Sequence, residues 1–212
     1  WLVAVVRARP SSTEPAAFGL AWADISTGAF HVAEVAASRL ASEIARLSPG
    51  EIILSDALYG DPELAAFWRE QRAVSPLGRD LFDAATAERR LAGFFGVASM
   101  EAFGAFSRLE ATAAAAICGY VERTQIDKRP PLMPPQRAAI DAYLAIDAAT
   151  RANLELLRSL SGERRGSLIA TIDRTVTAGG ARLFAERLAS PLANASAIEA
   201  RLDAVGFFVG NA

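Results

Sequence analysis

Asp24 stands ahead of Ser26-Thr27-Gly28, at the end of a run that alternates large and small apolar residues. A carboxylate at a strand end can serve a metal-dependent nuclease, where clustered carboxylates hold two Mg²⁺ ions. That chemistry needs two or three more carboxylates converging from other strands. The predicted strands offer only Glu34 and Glu51, at no spacing that marks a cluster. The plainer reading is an Asx turn, with Asp24 bonding the backbone of Ser26 or Thr27, and we favour it. The single histidine, His31, has the titration range of a general base. No nucleophile motif accompanies it, so a structural or surface role is expected.

The remaining candidates are weaker. Cys118 falls inside an Ala-rich helical stretch, where a small buried hydrophobe is the default and nothing lowers a thiol pKa. Gly179-Gly180 follows Thr177 at a predicted helix start, a place where anions bind, but close helix packing explains the glycines equally well. Neither a G-x-x-x-x-G-K-[ST] nor a G-x-G-x-x-G loop occurs. Arg164-Arg165, Lys128-Arg129 and Arg89-Arg90 are adjacent basic pairs. Contacts to a nucleic-acid backbone use such side chains, but many act together. Arg164 and Arg165 are the candidates retained for nucleic-acid contact. No catalytic, metal-binding or cofactor-binding residue is expected.

Composition agrees with that restraint. The 212 residues are 52% apolar and 22% charged, with one cysteine and one histidine. The length supports a real core and one to two domains. It needs no disulfide framework and has no histidine cluster for a metal. A net charge of −2 excludes a broadly basic polyanion binder. No apolar run is long enough to span a bilayer, and no secretory leader pattern opens the chain. The chain starts at Trp1 and is read as a piece of something longer.

The elements that must position these residues divide at Ile126–Arg137, which holds Pro130, Pro131, Pro134 and Pro135. Proline fixes φ and lacks a donor, so neither helix nor central strand is expected there. We place domains at residues 1–125 and 126–212. The first carries 11 basic and 15 acidic side chains, the second 11 and 9. Leu2–Val6, Phe18–Trp22 and Phe30–Val35 predict an antiparallel meander turning at Gly28. A helix from Ser38, a strand at Glu51–Leu54, a helix after Asp61-Pro62 and a strand near Ala73–Ser75 follow. Helices are then predicted at about Ala84–Phe95, from Ser99, and near Arg108–Gln125. Together these indicate a mixed α/β sheet with helices on its faces, followed by a mainly helical segment. In that segment Ile140 to Ile146 alternate as an extended lead-in. Asp147 caps a helix carrying Leu154, Leu157 and Leu160, and shorter helices are expected at Ser167 and Ala178–Leu188. Ser196 and Glu199 form a capping box for a last helix with Leu202, Val205 and Phe208 buried.

Phe18-Gly19-Leu20-Ala21-Trp22-Ala23-Asp24-Ile25-Ser26-Thr27-Gly28-Ala29-Phe30 resembles a segment of the MutS family of bacterial DNA mismatch-repair proteins. Phe95-Gly96-Val97 and Tyr120–Gln125 resemble the end of that family's connector domain. Asp147-Ala148-Ala149-Thr150-Arg151-Ala152-Asn153-Leu154-Glu155-Leu156 is similar to its D-A-A-T-R-x-N-L-E-L segment. Ser167–Asp173, Thr175–Thr177, Pro191-Leu192 and Ile198–Asp203 continue the resemblance in order.

The resemblance implies an RNase H-like connector over 1–125 and the beginning of the helical core over 126–212. It implies a scaffold, an allosteric link and part of the docking surface for the partner MutL, in a parent that recognises mismatched duplex DNA as a homodimer. ATP and Mg²⁺ would belong to the parent's ATPase domain, whose P-loop this sequence does not contain. The family's mismatch-reading Phe-x-Glu motif belongs to an N-terminal domain, and this sequence is read as starting after that domain. This chain is therefore expected not to be an enzyme, within a cytoplasmic, nucleoid-associated parent. An active RNase H-like nuclease and a stand-alone nucleic-acid-binding module remain the alternatives. Residues 126–212 are expected to be less stable alone than 1–125, because their apolar face is partly orphaned.

Overall fold

The computed structural model describes residues 1–8, 16–125 and 130–210. Two compact units emerge, Trp1–Leu40 with Ser48–Ala138 and Ala41–Leu47 with Ala139–Ala212. In chain order the elements are β1 (Leu2–Arg7), β2 (Ala17–Ala23), β3 (Phe30–Ala36), α1 (Leu40–Leu47), β4 (Glu51–Ser55), α2 (Asp56–Tyr59), α3 (Ala65–Glu70) and β5 (Val74–Leu77). There follow α4 (Ala87–Phe95), α5 (Arg108–Thr124), β6 (Gln136–Arg137), α6 (Ala148–Asn153), α7 (Leu168–Ile172), α8 (Ala178–Ala189) and α9 (Ala195–Gly210). A 3₁₀ turn at Ala37–Arg39 leads straight into α1.

The first unit is built on a mixed sheet in the order β5-β4-β1-β2-β3-β6. The meander β1–β2–β3 is antiparallel, β4 lies parallel to β1, and β5 lies parallel to β4. Parallel partners need a crossover, and the stretches carrying α1 and then α2–α3 supply the chain length. Helix α5 lies across β1, β2 and β3. It is seated by small side chains: Ala111 and Ala113 to Ala116 are all buried. At Gly19 a Cβ would lie 2.4 Å from the Leu109 carbonyl oxygen, so only glycine permits this strand-to-helix approach. Ser107 and Glu110 close a capping box at the start of α5, satisfying two otherwise orphaned amides. Gly96, at φ +66°, ends α4 in the left-handed region, as glycine does at helix ends.

From residue 130 onward the proline-rich segment is tied to the sheet. Met133 N–H donates to Gly28 O at 2.8 Å and Ala138 N–H to Val32 O at 2.9 Å. Arg137 Nε and Nη2 grip the buried Glu110 carboxylate at 2.9 and 2.6 Å. Residues Pro130–Ala138 thus close the edge of the first unit's sheet, with Leu132 in its core.

The second unit departs from the sequence reading in three places. The helix from Asp147 stops at Asn153, so Leu157 and Leu160 are not in it. The carbonyls of Glu155 and Leu156 accept instead from Leu168 and Ile169 N–H at 2.9 Å each, and Glu155 turns to φ +46°. Long-range pairing here wins over helical spacing. The Ile140–Ile146 stretch begins as a 3₁₀ turn at Ile140–Ala142, and extended pairing is confined to a bridge between Tyr143 and Leu192. The last helix is capped by Asn194, whose Oδ1 accepts from Ala197 N–H at 3.0 Å, so Ser196 lies within the first turn. Leu202, Val205 and Phe208, expected buried, are 62%, 51% and 73% exposed. The described residues contain no element that covers them.

Candidate functional site

Asp24 Oδ1 accepts from Ser26 N–H at 2.8 Å and from the Ser26 hydroxyl at 2.6 Å. Asp24 C=O accepts from Gly28 N–H at 2.8 Å. The Ser26 bonds first, then further bonds from Ser26 and Thr27, hold the Asp24 carboxyl below its usual range against the opposing effect of burial. The carboxylate is committed to its own turn, as the Asx reading expects. Gly28 takes φ +78° there, and a Cβ on it would meet Pro131 O at 2.3 Å.

Glu34 and Glu51 do not join Asp24. Glu34 projects exposed from β3. Glu51 Oε1, at the start of β4, accepts from Ser75 Oγ and Tyr120 OH at 2.7 Å each. Burial, helped by the Glu51 bond, pushes the Tyr120 phenol up to about 12. Among the described residues no three His, Cys, Asp or Glu side chains are grouped to hold a metal ion. His31 sits in an aromatic bracket, its ring centroid 5.6 Å from Trp22 and 6.1 Å from Trp1. Cys118 is buried in α5.

A groove of about 1160 Å³ opens in the first unit at the carboxyl ends of β1 and β4, lined in part by Arg7, Ser55, Arg79, Asp80, Asp83 and Arg108. Open α/β sheets bind ligands at such ends. Of the lining acids, Glu34 is exposed, and Asp80 and Asp83 are already engaged. Asp80 pairs with Arg123, and Asp83 accepts from Thr86 Oγ1 at 2.8 Å and Ala85 N–H at 3.0 Å. Arg7 pairs with Asp61 and, at 2.6 Å, with Glu63. The groove offers mostly paired charges, and no three carboxylates among the described residues are grouped there to hold a metal ion.

The basic pairs also part company. Arg90 is half-buried and structural, its Nη2 donating to Leu81 O at 2.9 Å and Asp83 O at 3.2 Å, while Arg89 is exposed. Arg164 pairs with Asp173 at 2.6 Å, and Arg165 is exposed beside it. Lys128 and Arg129 lie outside the described residues. At the start of α8, Gly180 N–H donates to Thr177 Oγ1 at 3.0 Å, so the helix caps itself where a phosphate would bind. Sequence reasoning missed the Glu110–Arg137 clasp and a buried pair, Glu43 with Arg46. Neither has a motif. The only local signal was the i, i+3 spacing of Glu43 and Arg46.

The sheet order, the crossovers and the helix across one face define an RNase H-like α/β unit, joined in sequence to a helical unit. Residues 1–134 match the family of MutS domain II and residues 149–212 that of MutS domain III. The DNA mismatch repair protein MutS of Rhodopseudomonas palustris (strain HaA2) is 60% identical over 209 residues, covering 99% of this chain and 23% of that protein. That of Nitrobacter hamburgensis is 58% identical, covering 100% of this chain and 23% of its own length. That of Azorhizobium caulinodans is 54% identical, covering 98% and 22%. The chain belongs to the MutS family, and it spans about 23% of the length of the curated relatives it matches. Among the described residues no helix is long and apolar enough to cross a membrane.

Proposed function

We infer that this chain is the connector and the beginning of the core of a mismatch-repair protein, and that it works as a scaffold, an allosteric link and a docking surface for a MutL-type partner. The in-order match to MutS domain II and then domain III supports this reading. The connector is read as residues 1–125 and the core as starting from 126. The parent recognises mismatched duplex DNA as a homodimer and couples recognition to ATP and Mg²⁺ in an ATPase domain that contributes nothing to this chain. It works in the cytoplasm, at the nucleoid. The chain itself turns over no substrate.

Titrating the chain with a MutL-type protein tests the docking role. Saturable binding that persists without nucleotide is the expected result, and no binding would remove that role. Incubation with RNA–DNA hybrid and duplex DNA in Mg²⁺ or Mn²⁺ tests the nuclease alternative, and no cleavage is expected. Duplex affinity should stay weak and unchanged in the Arg164→Ala/Arg165→Ala double variant. A salt-sensitive affinity that falls in that variant would favour the nucleic-acid-binding module instead.

A further inference from the structure

Helix α1 is encoded between β3 and β4 of the sheet, yet its residues Ala41–Leu47 belong to the second unit. Ile44 and Leu47 are buried, and Arg46 supplies the polar tie to that unit. Its Nε donates to Glu43 Oε2 at 2.8 Å and its Nη1 to Ser190 Oγ at 3.3 Å. Its guanidinium lies over the Tyr143 ring, 5.2 Å from the centroid. Only 9% of the Arg46 side chain and 4% of the Glu43 side chain are exposed. Nearby, Arg151 Nη1 donates to Ala189 O at 2.5 Å. Burial first, and then Arg46, pull the Arg151 pKa down, while Glu43 acts the other way. Two arginines and one glutamate therefore share a site largely removed from water. Buried charges hold their geometry tightly, because removing one partner strands the others.

The connections on either side of α1 have no slack. The Ala37–Arg39 turn joins β3 directly to it. Only residues 48–50 separate it from β4. Ser48 is held at φ +45°, Pro49 has a fixed φ, and Gly50 N–H donates to Trp1 O at 2.9 Å. Glu51 N–H donates to the same oxygen at 3.4 Å. These short connections run from α1 to the carboxyl end of β3 on one side and, through residues 48–50, to the amino ends of β4 and β1 on the other.

We propose that α1 is a built-in linkage: it moves as part of the second unit, clamped by Arg46, and delivers that unit's displacements to the Trp1–Glu51 end of the sheet. This gives the linking role inferred above a physical element and rests on that reading for its purpose. Its test uses no partner, DNA or nucleotide, so failure of either leaves the other distinguishable.

The test is amide hydrogen exchange on the whole chain, comparing the wild type with Arg46→Met. Protection of 41–47 should fall roughly tenfold or more, together with Leu144 and Ala193, whose amides bond Pro191 O and Ala142 O. Gly50 and Glu51 should lose protection in the same sense, and Leu20 and Val32 in the sheet should not change. Ser190→Ala, which removes one hydroxyl and leaves the fold intact, should give the same pattern at about threefold. Should Arg46→Met fail to fold, that milder variant decides. If α1 keeps its protection while Leu144 and Ala193 lose theirs, or exchanges in step with β1 and β2, it is not part of the second unit. If Gly50 and Glu51 ignore the loss in α1, nothing is delivered, and the proposal falls.

Discussion

Helices α5 and α9 are similar in length, 17 and 16 residues, and both are rich in alanine and apolar side chains. Their surroundings are opposite. In α5 ten residues are buried, including Ala113 to Ala116 and Ile117, while in α9 none is. Phe207, Phe208 and Val209 are 64%, 73% and 74% exposed. An isolated helix of this length is marginal in water, and most helical stability comes from packing. The first unit therefore carries its own cover for an apolar helix, and the described part of the second does not. Apolarity alone does not bury a helix; a facing surface at matching distance does, and Gly19 beneath Leu109 provides one.

Equivalent substitutions in the two helices sharpen this contrast. Ile117→Ala removes a fully buried side chain and should cost about 2–5 kcal/mol, whereas Phe208→Ala should stay within about 0.5 kcal/mol. Urea unfolding followed by far-ultraviolet circular dichroism reads both, and equal costs would break the comparison. Alkali should weaken the seat of α5. The Tyr120 phenol has a folded pKa raised from 10.0 to about 12, so its contribution is complete below pH 10.0 and is lost as pH rises toward about 12. Tyr120→Phe should remove that part of the pH dependence, as seen in unfolding midpoints across this range.

Glycine changes should differ in sign. Gly19→Ala drives a Cβ into backbone and should destabilise by about 1–3 kcal/mol. Gly206→Ala meets nothing within 4 Å and should stabilise α9 by about 0.5–1 kcal/mol, read from helical circular dichroism. A modest, pH-dependent effect belongs to the turn. Asp24→Ala should cost about 1 kcal/mol at neutral pH. Because the folded Asp24 pKa is depressed, that contribution is present above 3.8 and disappears as pH falls through the folded value, so wild type and variant should converge in acid.

Much of the first unit was legible because its signals are local. Alternation in β1 to β3, the Asx turn at Asp24, the helix ending at Phe95 and the helix start at Ser99 are each read within a few residues. The family segments were legible for the same reason, since they run in unbroken order. What was not legible depends on partners far away in sequence. Leu154, Leu157 and Leu160 repeat at helical spacing, yet Leu168 and Ile169 take the carbonyls a helix would use. Leu202, Val205 and Phe208 are spaced for burial, and spacing says nothing about whether a covering surface is present. The groove at the ends of β1 and β4 and the clasp of Arg137 on Glu110 required the sheet to be closed first.

The amino-acid sequence by itself determined the order of β1 to β5 and of the helices among them, the turn at Asp24, and membership of the MutS family. These rest on backbone preferences and short-range hydrogen bonds, which act within a few residues. Only the tertiary structure decided that the proline-rich stretch closes the sheet edge, that α5 is buried while α9 is not, and that α1 belongs with residues encoded a hundred positions later. Those outcomes turn on which surfaces meet, and burial and ion pairing reward proximity in space whatever the separation along the chain.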